Sequence, residues 1–282
     1  MKKVVLNYLV IAALAISAAF TSCGGGSSRG SGGGKSSGKI KMTTETGGGF
    51  SFRLAGSGVA TVDWGDGSEK VSLTLNEYGV EFSHTYPNAS MRTITISGDN
   101  IMGLFCYQIT SLDVSRCTEL TMLSFSHTPL TKLDVSKNTA LTKLYCSYNP
   151  LTSLDVSKNT ALTELNCSDN QLTSLDVSKN TMLTLLICSS NQLTSLDVSK
   201  NTSLLALDCN FNNQLIATGL DALFATLHSN AIEGSGFIQG KTIYISGKIG
   251  INSGDGGWVS NDRRPFPTCD RSIAERKGWT VQ

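Results

Sequence analysis

Histidine, proline and charge are all scarce in this chain of 282 residues, and each scarcity removes a class of function. There are three histidines, His84, His127 and His228, and none sits in an H-E-x-x-H pair or beside a serine, cysteine or paired carboxylate in a catalytic pattern. No residue constellation meets the chemical requirements of an enzyme, and a non-catalytic protein without metal or cofactor is expected. Charged residues make up 16% of the chain and the net charge is +1, far from the basic patch that nucleic acid demands. Long apolar runs are absent too. The stretch from Tyr8 to Phe20 is shorter than the roughly 20 residues that a membrane-spanning helix needs.

Cysteine is present eight times, but not as a disulfide framework. Cys146, Cys167, Cys188 and Cys209 recur every 21 residues inside an apolar pattern, which is how small buried hydrophobes behave. Thiolate ligation of zinc is not expected there. Cys23 stands apart, while Cys106, Cys117 and Cys269 carry no pattern that says whether they are paired.

What the chain does have is a period. Asp113, Asp134, Asp155, Asp176 and Asp197 keep a strict 21-residue spacing, and a period of that length means stacked coils. One copy, LTELNCSDNQLTSLDVSKNTM from Leu162 to Met182, contains two similar arms, L-T-x-L-x-C-S-x-N and L-T-x-L-x-V-S-x-N. In the first arm strand alternation sends Leu165 and Cys167 inward and Glu164, Asn166 and Ser168 outward; in the second, Leu175 and Val177 point in. Stacking the coils aligns Leu144, Leu165, Leu186 and Leu207 in one apolar column and the four cysteines in the next. Asparagine closes each arm, at 138, 149, 159, 170, 180, 191, 201 and 212, and an inward amide there can satisfy the backbone groups stranded by a bend. The aspartates, with Lys137, Lys158, Lys179 and Lys200 three residues after the corresponding position of each coil, read as a solvated, charge-balanced face rather than a calcium site.

The pattern L-x-x-L-x-C-x-x-N-x-L resembles the leucine-rich repeat at its short bacterial length, and most closely the repeats of Bacteroidetes-type lipoproteins. The resemblance implies that the first arm lines a concave face, displaying Lys143, Tyr145, Ser147, Glu164, Asn166, Ser168, Leu185, Ile187, Ser189, Ala206, Asp208 and Asn210. The candidate ligand contacts are Tyr145, Tyr148, Asn166, Leu185, Ile187, Asp208 and Phe211, because exposed aromatic and aliphatic side chains invite a partner. If Leu185 and Ile187 are exposed, replacing both with serine should leave the melting temperature nearly unchanged.

Before the repeats, residues 40–100 alternate apolar and polar in short runs broken by Gly, Asn and Pro, the pattern of a small β-sandwich. VDWGDGS (Val62 to Ser68), His84-Thr85-Tyr86-Pro87 and Arg92-Thr93-Ile94-Thr95-Ile96 resemble the PKD-type, immunoglobulin-like domain. Gly65 and Gly67 suit a tight turn, Asp66 can bond its amides, and a calcium site at Asp63, Asp66 and Glu69 lacks the acidic alternation that calcium loops show. After the repeats, GLDALFATLHSN reads as an amphipathic helix, and a strand from Lys241, a short helix from Ser272 and a last strand complete what resembles the terminal cap of the same repeat family. The glycine-rich GKIGINSGDGGW lacks Walker spacing.

At the start, two lysines, a short apolar stretch and Phe20-Thr21-Ser22-Cys23 resemble a signal peptide ending in a lipobox, which implies a lipid on Cys23. The Gly/Ser-rich segment that follows reads as a flexible tether. The expected order is therefore signal peptide 1–22, tether 23–39, immunoglobulin-like sandwich 40–100, leucine-rich-repeat solenoid 101–215 and mixed α/β cap 216–282, a mainly β protein. The expected role is that of a monomeric lipoprotein of the bacterial cell envelope, at the outer membrane, which binds a protein or glycan on its concave face. A structural spacer is the alternative.

Overall fold

The computed structural model describes residues 38–215, 217–227, 229, 241–244, 272–277 and 279–281. The signal peptide, Cys23, most of the tether, the glycine-rich loop and Cys269 lie outside the described residues.

Eight strands form the N-terminal part: β1 (Gly38–Thr44), β2 (Gly48–Gly56), β3 (Val59–Asp63), β4 (Val71–Thr74), β5 (Val80–Tyr86), β6 (Arg92–Gly98), β7 (Ile101–Tyr107) and β8 (Ser111–Asp113). One sheet runs β4-β3-β6-β1-β8, and a second begins β5-β2-β7. Period-two alternation gives each sheet one apolar face. Ile40, Met42, Val62, Ile94 and Ile96 on the first, and Phe50, Phe52, Leu54, Phe82 and Leu104 on the second, are buried in the same core. The VDWGDGS turn is a backbone device. Gly65 has φ +76° and a Cβ there would meet the Thr93 carbonyl oxygen at 2.3 Å, so only glycine fits. Asp63 Oδ1 accepts from Gly65 N at 3.1 Å and Asp66 Oδ1 from Ser68 N at 3.0 Å. Asp66 Oδ2 also meets His84 Nε2 at 2.7 Å, and the His84 ring stacks on buried Trp64 at 5.0 Å. Tyr86 Oη donates to the Trp64 carbonyl, locking the turn onto the core.

The second sheet does not stop at the sandwich. β7 pairs antiparallel with β2 on one side and parallel with β9 (Met122–Ser126) on the other, Leu104 opposite Leu123. From β9 the sheet continues, all parallel, through β10 (Lys143–Tyr145), β11 (Glu164–Asn166), β12 (Leu185–Ile187) and β13 (Ala206–Asp208) to β14 (Lys241–Tyr244) and β15 (Trp279–Val281). The boundary drawn at 100/101 thus falls immediately before a strand that serves both parts.

From β9 onward each coil of the solenoid has one short strand and its second arm is turn and irregular chain; only in the first repeat is that arm a strand, β8. The arm's inward pattern is nonetheless as read: Leu175 and Val177 are buried. The periodic aspartate closes a side-chain turn, since Asp113, Asp134, Asp155, Asp176 and Asp197 each accept from the backbone N–H of the serine two residues on, at 2.8–3.0 Å. Those bonds from the following serine hold the carboxyls of Asp134, Asp155 and Asp176 below the ordinary carboxylate range.

Turn-to-turn adhesion comes from amides and hydroxyls. Asn159 Nδ2 donates to Val135 O and Asn138 O, and Asn180 Nδ2 to Val156 O and Asn159 O, all at 2.8–3.0 Å and fully buried. The other column works in both directions. Asn170 Nδ2 donates to Cys146 O in the preceding coil and Cys167 O in its own, while its Oδ1 accepts from Leu151 N. Thr142, Thr163 and Thr184 each donate through Oγ1 to the carbonyl of the threonine one coil earlier, Thr121, Thr142 and Thr163, at 3.0–3.1 Å. Inside, Cys146, Cys167 and Cys188 are wholly buried free thiols, and burial pushes Cys167 up to about 12, so the column is neutral. Cys106 and Cys117 are free and buried as well.

At the far end α1 (Ala217–Thr226) covers the last coils with Leu220, Leu223 and Phe224 buried. Lys277 Nζ, just after the short α2 (Ser272–Glu275), donates to the Ala225 and Leu227 carbonyls at 2.7 Å and caps the C-terminus of α1. Among the described residues, no helix is long and apolar enough to cross a membrane.

Replacing Asn180 with alanine removes one of the two hydrogen bonds accepted by each of the Val156 and Asn159 carbonyls, which keep only the Asn159 and Leu162 N–H groups, and the loss of two buried bonds should cost about 1–3 kcal/mol in urea unfolding. An unchanged denaturation midpoint would remove the amide column from the account of stability.

Candidate functional site

The parallel sheet presents four columns on the face opposite its leucines. In register they run Gly103, Met122, Lys143, Glu164, Leu185, Ala206; then Phe105, Ser124, Tyr145, Asn166, Ile187, Asp208. Beyond the strand ends Tyr107 stands opposite Ser126, a column that the repeat continues through Ser147, Ser168, Ser189 and Asn210. The fourth column is the residue between that serine and the framework asparagine: His127, Tyr148, Asp169, Ser190 and Phe211. All five have left-handed backbone, with φ between 53° and 57°. That conformation turns the chain off the strand, and it is uncommon for residues other than glycine, asparagine and aspartate.

On the early coils the face is polar and tied together across strands. Glu164 takes Lys143 Nζ at 2.7 Å through one carboxylate oxygen and the Tyr145 hydroxyl through the other. Burial first, then the Glu164 charge, raises the Tyr145 phenol well above its ordinary value. His127 and Tyr148 stack with ring centroids 4.4 Å apart and planes 12° from parallel, and Tyr148 remains 42% exposed. Next in that column, Asp169 is raised above the usual carboxylate range chiefly by burial. Asn166 and Phe211 are half-buried.

Towards the later coils the face closes. Ile187 is 6%, Ala206 8% and Asp208 7% exposed, and Leu185 is half-buried. Asp208 Oδ2 accepts from Ser189 Oγ at 3.1 Å, and Ser168 and Ser189 are buried too. The expectation of an exposed Ile187 and an exposed Asp208 is thereby corrected, and Leu185 is left without the exposed apolar neighbour that a patch would need. Strand alternation sets the direction in which these side chains leave the sheet, as read, but direction does not determine what lies over them. The accessible part of the face is instead centred on Tyr145, Tyr148 and Asn166, to which the structure adds His127 and Tyr107.

Tyr107 extends the site beyond the repeats. It is 45% exposed, its hydroxyl lies 2.8 Å from Ser51 Oγ on β2, and Arg53 on the same strand bonds the Gly79 carbonyl at 3.1 Å. Because β7 joins the two parts of the sheet, the concave lane and the outer face of β5-β2-β7 form one surface. His127 was legible only as the position that precedes the framework asparagine in later coils, since its own coil has Thr128 where the others have asparagine. Among the described residues no group of His, Cys, Asp and Glu could hold a metal ion.

Residues 139–180 match the family of Leucine Rich repeats (2 copies) and lie within the solenoid of about five coils, which is consistent with that repeat. Among solved structures, the functional domain of InlJ from Listeria monocytogenes, described as including a cysteine ladder, is 43% identical over 41% of this chain and 29% of its own, with a TM-score of 0.39. An internalin (inlF) from Listeria monocytogenes str. 4b F2365 is 23% identical over 47% of this chain and 36% of its own, with a TM-score of 0.40. The chain therefore spans 29% and 36% of the lengths of these two structures. No curated protein matches.

Because Ile187 is buried, serine at both 185 and 187 should lower the unfolding free energy by about 2–4 kcal/mol, a loss readable in thermal or urea unfolding. A melting temperature equal to that of the unsubstituted protein would restore the exposed patch.

Proposed function

We propose that this chain is a non-catalytic recognition protein that holds a protein partner against the open half of its concave sheet, exported and tethered to the bacterial outer membrane through a lipid on Cys23. The observation that carries the reading is the contrast between fixed and variable positions within one repeat. Leucine, cysteine and asparagine recur coil after coil where they are buried, whereas the adjoining positions hold His127, Tyr148, Asp169, Ser190 and Phe211 in one column and Ser124, Tyr145, Asn166, Ile187 and Asp208 in another. Solenoids make extended curved surfaces, and variety confined to such a surface is what recognition requires. Aromatic rings with a polar edge are the side chains that most often dominate binding energy. Tyr148, stacked on His127 and open on its other side to the extent of its 42% exposure, is the anchor of this reading.

The test uses crosslinking capture on intact cells. Tyr148→Asn removes the ring while keeping a residue that tolerates φ near 57°, so folding should persist while affinity for the captured partner falls about tenfold or more. Equal capture by both proteins would sink the reading, and a captured species resistant to protease but sensitive to glycosidase would make the partner a glycan.

For the anchor, Cys23→Ala should shift the protein from the membrane to the soluble fraction and abolish incorporation of labelled fatty acid. Unchanged fractionation and labelling would remove the lipid from the proposal.

A further inference from the structure

The ten-stranded sheet has β5 as its outermost strand at the N-terminal end, and this edge differs from the others described. β4, β8 and β15, the other outer strands, are four, three and three residues long, whereas β5 is seven and pairs with β2 along all seven residues without a register shift. Natural sheets blunt long edges with proline, bulges or inward charge, because an unpaired row of N–H and C=O groups is a template for another strand. VEFSHTY has no proline and no bulge against β2, and its one carboxylate, Glu81, faces outward. Glu81, Ser83 and Thr85 face outward and exposed; Phe82 and Tyr86 are buried in the core, and His84 is held inward against Trp64.

The geometry points to a second copy of this chain as the occupant, its β5 antiparallel to the first about a two-fold axis through Ser83. The sequence of the strand is complementary to itself in this register and in few others. Val80 faces Tyr86 of the other protomer, Glu81 faces Thr85, Phe82 faces His84, and the two Ser83 residues face each other. All seven residues are then paired, outward side chains meet outward ones, and no like charges oppose. A slip of one residue would set exposed side chains against buried ones. Centring the axis on Glu81 would set two carboxylates face to face. The ends fit as well. Tyr78, 68% exposed, precedes β5, and Met91, 71% exposed, lies in the turn after it; the two-fold brings the start of one protomer's strand beside the end of its partner's. One strand pair with these flanks is a small interface, so the dimer is weak and depends on concentration. It departs from the monomer expected from sequence and does not rest on the recognition role proposed for the concave face.

Sedimentation equilibrium of the full chain at micromolar to submillimolar concentration should show a monomer–dimer equilibrium. Thr85→Glu places a carboxylate opposite Glu81 of the partner at both ends of the pairing and should weaken the dimer roughly three- to tenfold, while Thr85→Lys should strengthen it by a similar factor. Both side chains point to solvent in the protomer, so its melting temperature should hold. Under mild oxidation Ser83→Cys should form disulfide-linked dimers several-fold faster than Ser72→Cys on the outer strand β4. A monomer at every concentration, a dimer indifferent to the charge at 85, or equal crosslinking at 72 and 83 would each overturn the assignment.

Discussion

The amide of asparagine, placed inside a bend and repeated every coil, is the interaction on which the rest of this molecule depends. A coil of 21 residues with one three-residue strand leaves most of its backbone outside any ladder, and buried peptide groups without partners are costly. Asn138, Asn159, Asn180 and Asn201, all fully buried, send both hydrogens of Nδ2 to carbonyls of the neighbouring bend. Their Oδ1 atoms find no partner among the described residues, so the column spends one acceptor per coil to hold two donors' worth of contact. Asn149, Asn170, Asn191 and Asn212 use both ends of the amide: each Oδ1 accepts a backbone N–H of the preceding coil, and Nδ2 of the last three also donates to a cysteine carbonyl there. No other side chain of that length offers two donors and an acceptor, which explains why asparagine recurs from Asn138 to Asn212 while its neighbours vary.

The leucine and cysteine columns depend on that alignment. Leu165 and Cys167 exclude water only because Leu144, Leu186, Cys146 and Cys188 are held one strand spacing away on either side. At the N-terminal end the same requirement is met by β7, whose Leu104 and Cys106 continue the two columns and whose other edge belongs to β2. The sandwich therefore acts as the cap for the first open coil. Phe125 occupies the cysteine column at β9, opposite Cys106 of β7, and is buried there.

Much of this was legible because period and alternation act locally. The five aspartates gave the coil length, and Leu165, Cys167, Leu175 and Val177 declared themselves as interior. The turn at Gly65 and Asp66 was readable from residue type, since only glycine tolerates the Thr93 carbonyl so close. What escaped depends on contacts between distant segments. Nothing in the sequence places β7 between β2 and β9, because sheet membership is settled by pairing across the chain rather than by pattern. Ile187 and Asp208 leave the sheet on the open side, yet their burial is set by the surroundings of the later coils. The aspartate ladder read as a charge-balanced face is first a ladder of turns: each carboxylate accepts from a serine amide two residues away and fixed in place, which an exposed lysine in water cannot match.

The left-handed column bears most directly on use. A coil needs one residue at φ near 55° to leave its strand, and glycine or asparagine would take that conformation at least cost. Asp169 follows that preference. Histidine, as at His127, is also enriched there, but Tyr148 and Phe211 break the preference, and a bulky ring at such a position carries a backbone cost of order 1 kcal/mol that the framework gives no reason to accept. Stacking of His127 on Tyr148 offsets part of it, but packing one strained residue on another does not explain why either is aromatic. In the recognition role proposed above, an aromatic residue placed where the backbone favours a smaller one, partly open to water, is there for what the ring touches outside the chain.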